Sequence, residues 1–385
     1  MPMALVKDYA FASGGILWKV LDRRRFEIRP LKHQFLFVLG LMVISWLPLA
    51  ILSYFNLKWN LFSLLFLRDM ATHVRFLFVL PILLFARRSF NQSFNQSVHF
   101  FHETKMVDSD NEMEFRKVLD RLEQWKNSKR VDLVLILLVY SSFYFQENIH
   151  LNHSDNYAPW HIVAGRITSA GWYYLVFSLP LLQMLLYRWL YTILLWIIFL
   201  YKISKLGLHL SSFHPDGVGG LGFLKYTQLS FFPVALAFSA LTAGMLNNMV
   251  IFSHASILEY KIVIGSVLLF VLMIFILPLL LLLPLLAQVK RKYYIQYSKQ
   301  AWPVVRLYED ELEDFYLNQK DTPDASLHVD MIGSFEKTDD MKIILVDKGI
   351  LLAFVAAVVI PFLPVIAQQI PLKDVFVNLL GKILG

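Results

Sequence analysis

The chain has 385 residues, of which 57% are hydrophobic and 17% are charged, and its formal net charge is +7. Soluble globular proteins are usually about 45–50% apolar and about 25% charged, so this composition excludes an ordinary soluble enzyme, a disordered protein and a nucleic-acid-binding domain. The apolar residues form blocks of about 20, the length that a helix needs to cross about 30 Å of hydrocarbon. The chain has no cysteine, which excludes disulfides, thiolate metal ligands and cysteine nucleophiles. These features predict an all-α polytopic membrane protein.

Seven apolar blocks predict seven transmembrane helices. We number these spans 1 to 7 and place them at residues 34–55, 67–86, 131–146, 170–190, 229–251, 262–286 and 349–368. The segments before span 1 and after spans 2, 4 and 6 hold 28 of the 36 lysine and arginine residues, and the opposite side holds seven. Cytoplasmic segments are enriched in these residues. The charge pattern therefore predicts a cytoplasmic N-terminus and an external C-terminus.

The segments outside the spans predict helical extensions on the cytoplasmic side and little folded mass on the other. Ser109 and Glu112 form a capping-box pattern ahead of helically spaced apolar residues, which predicts a helix that continues into span 3. A second cytoplasmic helix is predicted over residues 293–318. The predicted divisions are 1–33, a cytoplasmic amphipathic N-terminal segment; 34–86, spans 1 and 2; 87–130, a cytoplasmic helical loop; 131–201, spans 3 and 4 with an inner interfacial extension; 202–228, a cytoplasmic glycine-rich loop; 229–288, spans 5 and 6; 289–346, a cytoplasmic helical loop; 347–370, span 7; and 371–385, a short external amphipathic tail.

Span 4 belongs to an apolar run over residues 170–200 in which Arg188 is the only charged residue. A helix of this length exceeds the membrane core. We expect it to bend onto the inner surface near Arg188, where neighbouring Tyr and Trp residues are typical of an interfacial belt. The rival interpretation is two short spans, which would give eight spans and a cytoplasmic C-terminus. It would also place the basic residues of the last two inner loops outside.

Three prolines lie in similar sequence contexts, which suggests an internal repeat. Each of these prolines follows a Phe-x-Leu tripeptide and precedes two large aliphatic residues; they are Pro81, Pro180 and Pro278. Proline removes one helical hydrogen bond, so each is a predicted kink. The alternative is coincidence in a sequence rich in Leu and Phe, because proline is common in membrane helices.

Span 2 contains four polar side chains that would be costly inside a membrane: Arg68, Asp69, His73 and Arg75. Counted back from Ala86, Arg75 would lie about 16 Å along the helix, near the middle of the membrane. Asp69 and His73 are one turn apart and can pair. One interpretation is an anion-lined or water-filled path. The other is that span 2 begins later and these residues lie at the outer interface.

The glycine-rich loop, residues 208–224, is the most distinctive stretch of the sequence. Its G-x-G-x-x-G match is a false positive for dinucleotide binding, because no βαβ unit surrounds it. Asp216 is expected to cap the helix that follows. The loop is interpreted either as a tight turn at the inner membrane face or as a backbone nest for an anion, a lipid headgroup or a partner loop. The residues of interest are His214, Pro215, Asp216, Gly217, Gly219, Gly220 and Gly222.

The loop motif His214-Pro215-Asp216-x-x-Gly219-Gly220-Leu221-Gly222-Phe223-Leu224, with Tyr187-Arg188-Trp189 and Arg68-Asp69, resembles a group of uncharacterised bacterial multi-span membrane proteins. The resemblance implies a bacterial inner-membrane location. It implies no activity.

Function is predicted mainly by elimination. The sequence has no G-x-x-x-x-G-K-[ST] motif and no catalytic constellation, so we predict an oligomeric pore, ion channel or small-solute conduit without ATP coupling. The alternatives are a scaffold or sensor that binds a cytoplasmic partner or anionic lipid, and a lipid-acting enzyme or carrier. The expected partners are the lipid bilayer, further copies of the chain and an ion or small anion, with no nucleic acid, cofactor or metal.

The predicted topology is also similar to that of insect chemoreceptor channels, without a shared motif. This similarity implies that span 7 lines a pore near a symmetry axis and that Gln368 and Gln369 face water.

Overall fold

The computed structural model describes residues 9–21, 31–152, 160–163, 166–253, 256–318 and 326–369. It is 82% helical with almost no sheet, which confirms the all-α prediction. The described sheet is one antiparallel pair of two-residue strands, β1 (Ile162–Val163) and β2 (Arg166–Ile167). The predicted tail at 371–385 lies outside the described residues.

Six helical runs in the described part of the chain are long and apolar enough to cross a membrane: Leu31–Phe66, Met70–Glu103, Ser169–Ile203, Leu224–Ser253, Ile257–Leu317 and Lys348–Gln368. They correspond to predicted spans 1, 2, 4, 5, 6 and 7. The helix that corresponds to span 3 is not among them. It begins with Lys129, Arg130 and Asp132 and ends in a polar stretch after Phe145, which shortens its apolar part.

The first half of the chain forms helices α1 to α6. Two stretches of wider π-helical turn, Phe62–Phe66 and Val74–Val79, follow α2 and α3. The helices are α1 (Ile16–Leu21), α2 (Leu31–Leu61), α3 (Met70–His73), α4 (Leu80–Glu103), α5 (Ser109–Lys126) and α6 (Lys129–Asn152).

The second half forms helices α7 to α14. A π-helical stretch, Tyr174–Ser178, joins α7 to α8, and 3₁₀ turns lie at Ile257–Tyr260 and Leu277–Leu282. The helices are α7 (Ser169–Tyr173), α8 (Leu179–Ile203), α9 (Leu224–Leu229), α10 (Phe232–Ser253), α11 (Lys261–Phe275), α12 (Leu283–Asn318), α13 (Ser326–Asp339) and α14 (Lys348–Gln369).

The helix that contains span 2 continues beyond the predicted end of the span at residue 86, because α4 extends to Glu103. Phe90, Phe94 and Phe101 recur at helical spacing beyond this point and are fully buried. Burial of this aromatic face extends the helix past Arg87 and Arg88, which mark the predicted membrane boundary.

The helix predicted from Ser109 begins at that residue, but it does not continue into span 3. It ends at Lys126, and α6 begins at Lys129 after a turn in which Asn127 and Ser128 donate to carbonyls of the last turn of α5. The break lets Lys126 and Asp132, on either side of it, face the protein interior, where both are buried.

Span 4 is one helical run from Ser169 to Ile203. The predicted bend at Arg188 is not accompanied by a break, because α8 continues without interruption through this residue. The rival pair of short spans does not form either. Arg188 is 5% exposed, so it points into the protein and not toward an interfacial belt.

The three prolines coincide with departures from α-helical geometry. Pro81 and Pro180 are each the second residue after a π-helical stretch. Proline has no N–H to donate to the carbonyl of the residue four positions earlier. In each case that carbonyl lies within the π-helical stretch. Pro278 lies in the 3₁₀ turn between α11 and α12. Gln228 compensates there by donating from Nε2 to the Phe275 carbonyl at the end of α11.

The repeat suggested by the prolines extends through the starts of spans 2 and 4. The spacing of 99 residues between Pro81 and Pro180 also separates the two helix caps. Asp69 accepts from the N–H of Thr72 at the start of α3, and Thr168 accepts from the N–H of Gly171 at the start of α7. Both starts then continue as a short α-helix, a π-helical stretch and a long α-helix. The run at Pro278 lacks this pattern.

The bundle has two ends, which we name by the residues that they hold. At the Asp69 end, α2 meets α7, and Asn56 donates to the Ser169 hydroxyl over 2.9 Å. At the Arg188 end, Asp132 at the start of α6 lies beside Arg188. Trp160 lies at the Asp69 end, because its Nε1 donates to Asp69. The segment from Asp132 to Trp160 therefore runs from one end of the bundle to the other.

Residues 9–21, which we call the N-terminal segment, bury part of their side chains in the protein core. Phe11 is 1% exposed and its ring lies 4.5 Å from that of Phe94, and Trp18 is 5% exposed, whereas Ile16 and Lys19 are exposed. The sequence pattern did not indicate this burial, because the basic residues near the segment dominate the local composition. The remaining residues up to 30 lie outside the described part.

Candidate functional site

The carboxylate of Asp69 is buried at the turn between spans 1 and 2, and it accepts four hydrogen bonds. Thr72 donates from its backbone N–H over 3.1 Å and from its hydroxyl over 2.6 Å. Trp160 Nε1 and Asn248 Nδ2 each donate over 2.6 Å. A charge that is 4% exposed is tolerated only when it is well hydrogen-bonded. Asp69 thereby links the span 1–2 turn to two distant parts of the chain.

The other polar residues of span 2 surround this carboxylate without pairing with it as predicted. His73 accepts at Nδ1 from Trp46 Nε1 over 3.0 Å, and its Nε2 lies 3.1 Å from the Leu67 carbonyl, so both ring nitrogens have partners other than Asp69. Arg75 donates to the hydroxyl of Tyr174 over 2.6 Å. These two partners are 99 residues apart, so they occupy equivalent positions in the repeat. Arg68 is exposed in the turn before α3.

Because α3 begins at Met70, Arg75 lies six residues after Asp69, about 9 Å along the helix. It is therefore nearer the Asp69 end than the middle of the span. This agrees with the alternative in which span 2 begins late and its polar residues lie near an interface. We call Asp69, Thr72, Arg75, Trp160, Tyr174 and Asn248 the Asp69 cluster.

A second buried polar cluster lies at the Arg188 end. Arg188 Nη1 is 3.4 Å from Asp132 Oδ1, and both side chains are less than a tenth exposed. Arg188 also donates to the carbonyl of Lys126 over 3.2 Å. We call Arg87, Lys126, Asp132 and Arg188 the Arg188 cluster. Arg188 lies about 30 Å along the helix from the cap at Thr168, so the two clusters are separated by about the thickness of a membrane core.

The N-terminal segment covers the Arg188 cluster and is held there through its backbone. Lys126 Nζ donates to the Ala10 carbonyl over 3.0 Å, and Asp132 accepts from the N–H of Ile16 over 2.9 Å. Asn91 accepts from the N–H of Ala12 over 2.7 Å. The guanidinium carbon of Arg87 lies 3.9 Å from the centre of the Trp18 ring, a cation–π contact.

Glycine is required where the segment crosses the Arg188 cluster. Gly15 has φ of +85°, and a Cβ there would lie 1.9 Å from Arg188 Nη2 and 2.3 Å from Asp132 Oδ1. A Cβ on Gly14 would lie 2.2 Å from Lys126 Cγ. The backbone therefore approaches the buried charges more closely than a side chain would permit.

Between the two clusters, α4 and α8 face each other through apolar side chains. Leu80 and Leu83 of α4 and Leu182 of α8 are almost fully buried. Trp189 donates from Nε1 to the Leu83 carbonyl over 3.0 Å, which shows that this face of α8 meets α4. Leu182 lies two turns before Trp189 on the same face. We call these three leucines the apolar layer.

Breaking the ion pair of the Arg188 cluster should be strongly destabilising. We expect Asp132→Ala and Arg188→Met each to lower the free energy of unfolding by about 3–5 kcal/mol, because each leaves its partner charged and buried. The double variant should lose less than the sum of the two, with a coupling of about 2 kcal/mol. Chemical denaturation in detergent measures all three. Additive losses would show that the two charges do not interact.

The glycine-rich loop folds around the carboxylate of Asp216. Oδ1 accepts from the N–H groups of Val218 over 2.9 Å and Gly220 over 3.1 Å, and Oδ2 accepts from Gly222 over 2.8 Å. Asp216 thus caps this turn and not the following helix α9, which corrects our expectation. The N–H groups of the predicted anion nest donate to this internal carboxylate, which favours the turn interpretation. Pro215 lies in the turn that precedes Asp216.

The glycines allow this turn to form and to contact other segments. Gly217, Gly219 and Gly220 have φ of +66°, +72° and +100°, values that favour glycine. Lys342 donates its N–H to the Gly217 carbonyl over 2.8 Å, and the Ser212 and Thr338 hydroxyls are 2.9 Å apart. The loop therefore connects the bundle to the end of α13 and to the segment before α14.

The Asp216 carboxylate gives the loop a predictable pH dependence. Burial acts to raise the pKa of Asp216, but hydrogen bonds from the loop N–H groups and the neighbouring His214 hold this pKa below its ordinary value of 3.8. A depressed folded-state pKa stabilises the fold above the unfolded-state pKa and stops doing so as the pH falls through the folded-state value.

Accordingly, Asp216→Ala should lower the free energy of unfolding by about 1–3 kcal/mol at pH 7, because three N–H groups lose their acceptor. The difference in the free energy of unfolding between this variant and the wild type should become smaller below pH 3.8, as the wild-type carboxylate becomes protonated. Denaturation curves of both proteins across this pH range test the expectation. A difference that is constant with pH would contradict it.

The predicted pore-facing end of α14 is partly described. Gln368 is exposed at the end of this helix, which also contains Pro361 and Pro364. The side chain of Gln369 lies outside the described part. No three His, Asp or Glu side chains in the described ranges come together in a way that could hold a metal ion.

Sequence reasoning missed several residues that complete these clusters. Asp132 could have been recognised, because it is the lone carboxylate at the start of an apolar run. Asn248 was a second signal, because it follows another asparagine within span 5. Trp160, Lys126 and the N-terminal segment carried no comparable local signal.

Comparison of the chain with models of known protein families, with curated proteins and with solved structures finds no match in any of the three.

Proposed function

We propose that the protein is a passive membrane conduit for a small charged solute, and that its path runs between spans 2 and 4 within each chain. The observation that carries this proposal is the pair of buried polar clusters at opposite ends of the same two helices. Charged side chains inside membrane proteins are costly and often mark a solute path. The apolar layer between the clusters would hold the path closed, in the way that hydrophobic constrictions close channels by excluding water.

The π-helical stretches and prolines of these two helices support the proposal. The π-helical stretches contain Arg75 and Tyr174 of the Asp69 cluster. Pro81 and Pro180 lie in the helical turns that hold the leucines of the apolar layer, so a change in helix geometry at either proline would move those leucines. Departures of this kind are frequent at functional sites and hinges. If the helices of spans 2 and 4 are copies of one repeat and form the two walls of the path, equivalent positions of the repeat face each other across it. Arg75 and Tyr174 occupy such positions and are hydrogen-bonded to each other.

The proposal includes seven crossings, with the N-terminus in the cytoplasm. The support is the path of the segment from Asp132 to Trp160, which joins the two ends of the bundle. Exposed apolar side chains on α6, such as Leu133 and Leu137, suit contact with lipid. The positive-inside pattern supports an orientation with the Arg188 end inside, and the resemblance to bacterial membrane proteins supports a bacterial inner membrane as the location.

Span 7 favours a second candidate path, at the axis of an oligomer. Leu352 and Leu363 of α14 are more than half exposed, and this helix ends in an exposed glutamine. Copies of the chain packed through α14 would cover this face. Cross-linking in the membrane tests the assembly, and a strictly monomeric protein that conducts would remove this candidate.

The conduit is tested by recording currents from the purified chain. The protein is inserted into planar lipid bilayers bathed in potassium chloride. We expect brief openings that are absent from protein-free bilayers. Because the chain has no cysteine, single cysteines can report the topology. Arg68→Cys should react with an impermeant thiol reagent from outside and Lys225→Cys from inside. The absence of any current in all recordings would contradict the conduit, and labelling of both from one side would contradict the topology.

A further inference from the structure

We propose that Ser239 and Asn247 of span 5, together with the Ala357 carbonyl of span 7, form a polar seam. This polar seam binds water and other small uncharged molecules that both donate and accept hydrogen bonds. The inference goes beyond the proposed conduit, because it concerns a different pair of helices and needs no ion flow.

Two buried polar side chains of α10 are the starting observation. Ser239 is fully buried and Asn247 is 3% exposed. Among the described residues, no group pairs with the Ser239 hydroxyl or with either polar atom of the Asn247 amide. The neighbouring Asn248, in contrast, donates to Asp69 and accepts from the N–H of Ala71. An unpaired amide or hydroxyl is costly in an apolar interior, and water is the usual partner of such groups in native proteins.

The sides of α10 can be assigned to its neighbours. Gly244 marks the side that meets span 2, because a Cβ there would lie 3.3 Å from Ala71 Cα and from Val74 Cβ. Phe238 marks the side that meets α11, because its ring lies 6.0 Å from that of Phe270. The helix also packs against α14, which therefore lies on the remaining buried side.

The two unpaired side chains lie on this remaining side. Met245, which is 49% exposed, lies between the other two sides and faces away from the bundle. Opposite it, one row of buried residues recurs at intervals of four, about one helical turn: Ala235, Ser239, Ala243 and Asn247. Alanine side chains fill little of the space between two helices, and a bound water needs such space beside polar groups.

On the other wall, α14 offers a backbone acceptor and no buried polar side chain. Pro361 has no N–H, so the carbonyl of Ala357 lacks its usual helical donor. Ala357 is fully buried. A molecule that donates to this carbonyl and pairs with α10 would satisfy both helices. The buried side chains that the structure describes in α14 are all apolar: Ile350, Phe354, Ala357, Val358, Phe362 and Val365.

The two helices contain nothing that would hold a charged solute. There is no Asp, Glu, Lys or Arg in α10, and the one such residue of α14 is Lys348 at its start. A charge inside a membrane protein is costly unless it is paired or hydrated. The polar seam therefore favours uncharged molecules, in contrast to the Asp69 cluster and the Arg188 cluster.

The test is the rate at which single cysteines in the polar seam react with a thiol reagent in proteoliposomes. A thiol reacts as the thiolate, which forms in contact with water and not in apolar surroundings. The chain has no cysteine of its own, so Ser239→Cys and Asn247→Cys each report one position. With uncharged hydroxyethyl methanethiosulfonate, we expect both to react about tenfold or more faster than Ala237→Cys. Mass spectrometry measures the modified fraction over time.

The matched control is Ala237→Cys on the same helix. Ala237 is fully buried and lies two turns before Gly244, on the side that meets span 2. A cysteine there is equally deep in the protein but lies outside the polar seam. A negatively charged reagent of similar size, sulfonatoethyl methanethiosulfonate, should react slowly at all three positions, because the polar seam has no opposite charge.

The outcomes separate the polar seam from the conduit. Equal rates at Ser239→Cys and Ala237→Cys, whether both fast or both slow, would overturn the polar seam. If the sulfonate reagent reacts as fast as the hydroxyethyl reagent, the preference for uncharged molecules is wrong. Ser239→Cys exchanges one oxygen for sulfur, so it keeps the test available if Asn247→Cys does not fold. Because labelling needs no current, the polar seam and the conduit can fail independently.

Discussion

Replacement of Asp69 by alanine is expected to lower the free energy of unfolding by about 3–5 kcal/mol. The carboxylate accepts hydrogen bonds from Thr72, Trp160 and Asn248 while it is 4% exposed. Its removal leaves these buried donors without an acceptor, and each unsatisfied group costs about 1–3 kcal/mol. Equilibrium unfolding of the purified protein in detergent measures the loss.

A matched control separates this effect from the loss of a negative charge. Asp310 of α12 is exposed, and Asp310→Ala should stay within about 0.5 kcal/mol of the wild type. Asn248→Ala should reproduce part of the loss at Asp69, because it removes one donor to the same carboxylate. If Asp69→Ala were as stable as Asp310→Ala, the Asp69 carboxylate would not hold the start of span 2, Trp160 and span 5 together.

The fold was predictable wherever local composition changes sharply. Predicted span 7 at 349–368 agrees with α14 at Lys348–Gln369, because polar residues flank its apolar run on both sides. The helix at Ser109 was predictable from its capping pattern. The end of α4 at Glu103 was not predicted, because Arg87 and Arg88 resemble a membrane boundary and the aromatic face of the helix continues beyond them.

The clusters were predictable only in part, because their partners are far apart in the sequence. Asp69 was a predicted site residue, but its partners Trp160 and Asn248 are 91 and 179 residues away. Arg188 was predicted as an interfacial residue, and its pairing with Asp132 depends on how α6 packs against α8. No periodicity in a single sequence specifies such contacts. The same holds for the N-terminal segment, whose anchoring groups are largely its own backbone atoms.

A polar residue in the apolar layer is expected to increase conduction strongly. Leu182 of α8 is 1% exposed and lies on the face that meets α4. Leu182→Ser would help water to enter the layer, because a dry constriction depends on apolar walls. We expect the mean current to rise about tenfold or more, since a closed path leaves the open state as a minor population.

Leu194 provides the matched control on the same helix. It is 48% exposed on the outside of the bundle, so Leu194→Ser makes the same chemical change where it would meet lipid. Its current should equal that of the wild type. Measuring the stability of both variants ensures that they are folded to the same extent.

The most direct test of the path between spans 2 and 4 is the current of Leu182→Ser. It is measured beside the currents of Leu194→Ser and the wild type, in planar bilayers at equal protein density. A large increase for Leu182→Ser alone is the result that we predict. Equal currents from the three folded proteins, or no current from any of them, would contradict a path through this layer.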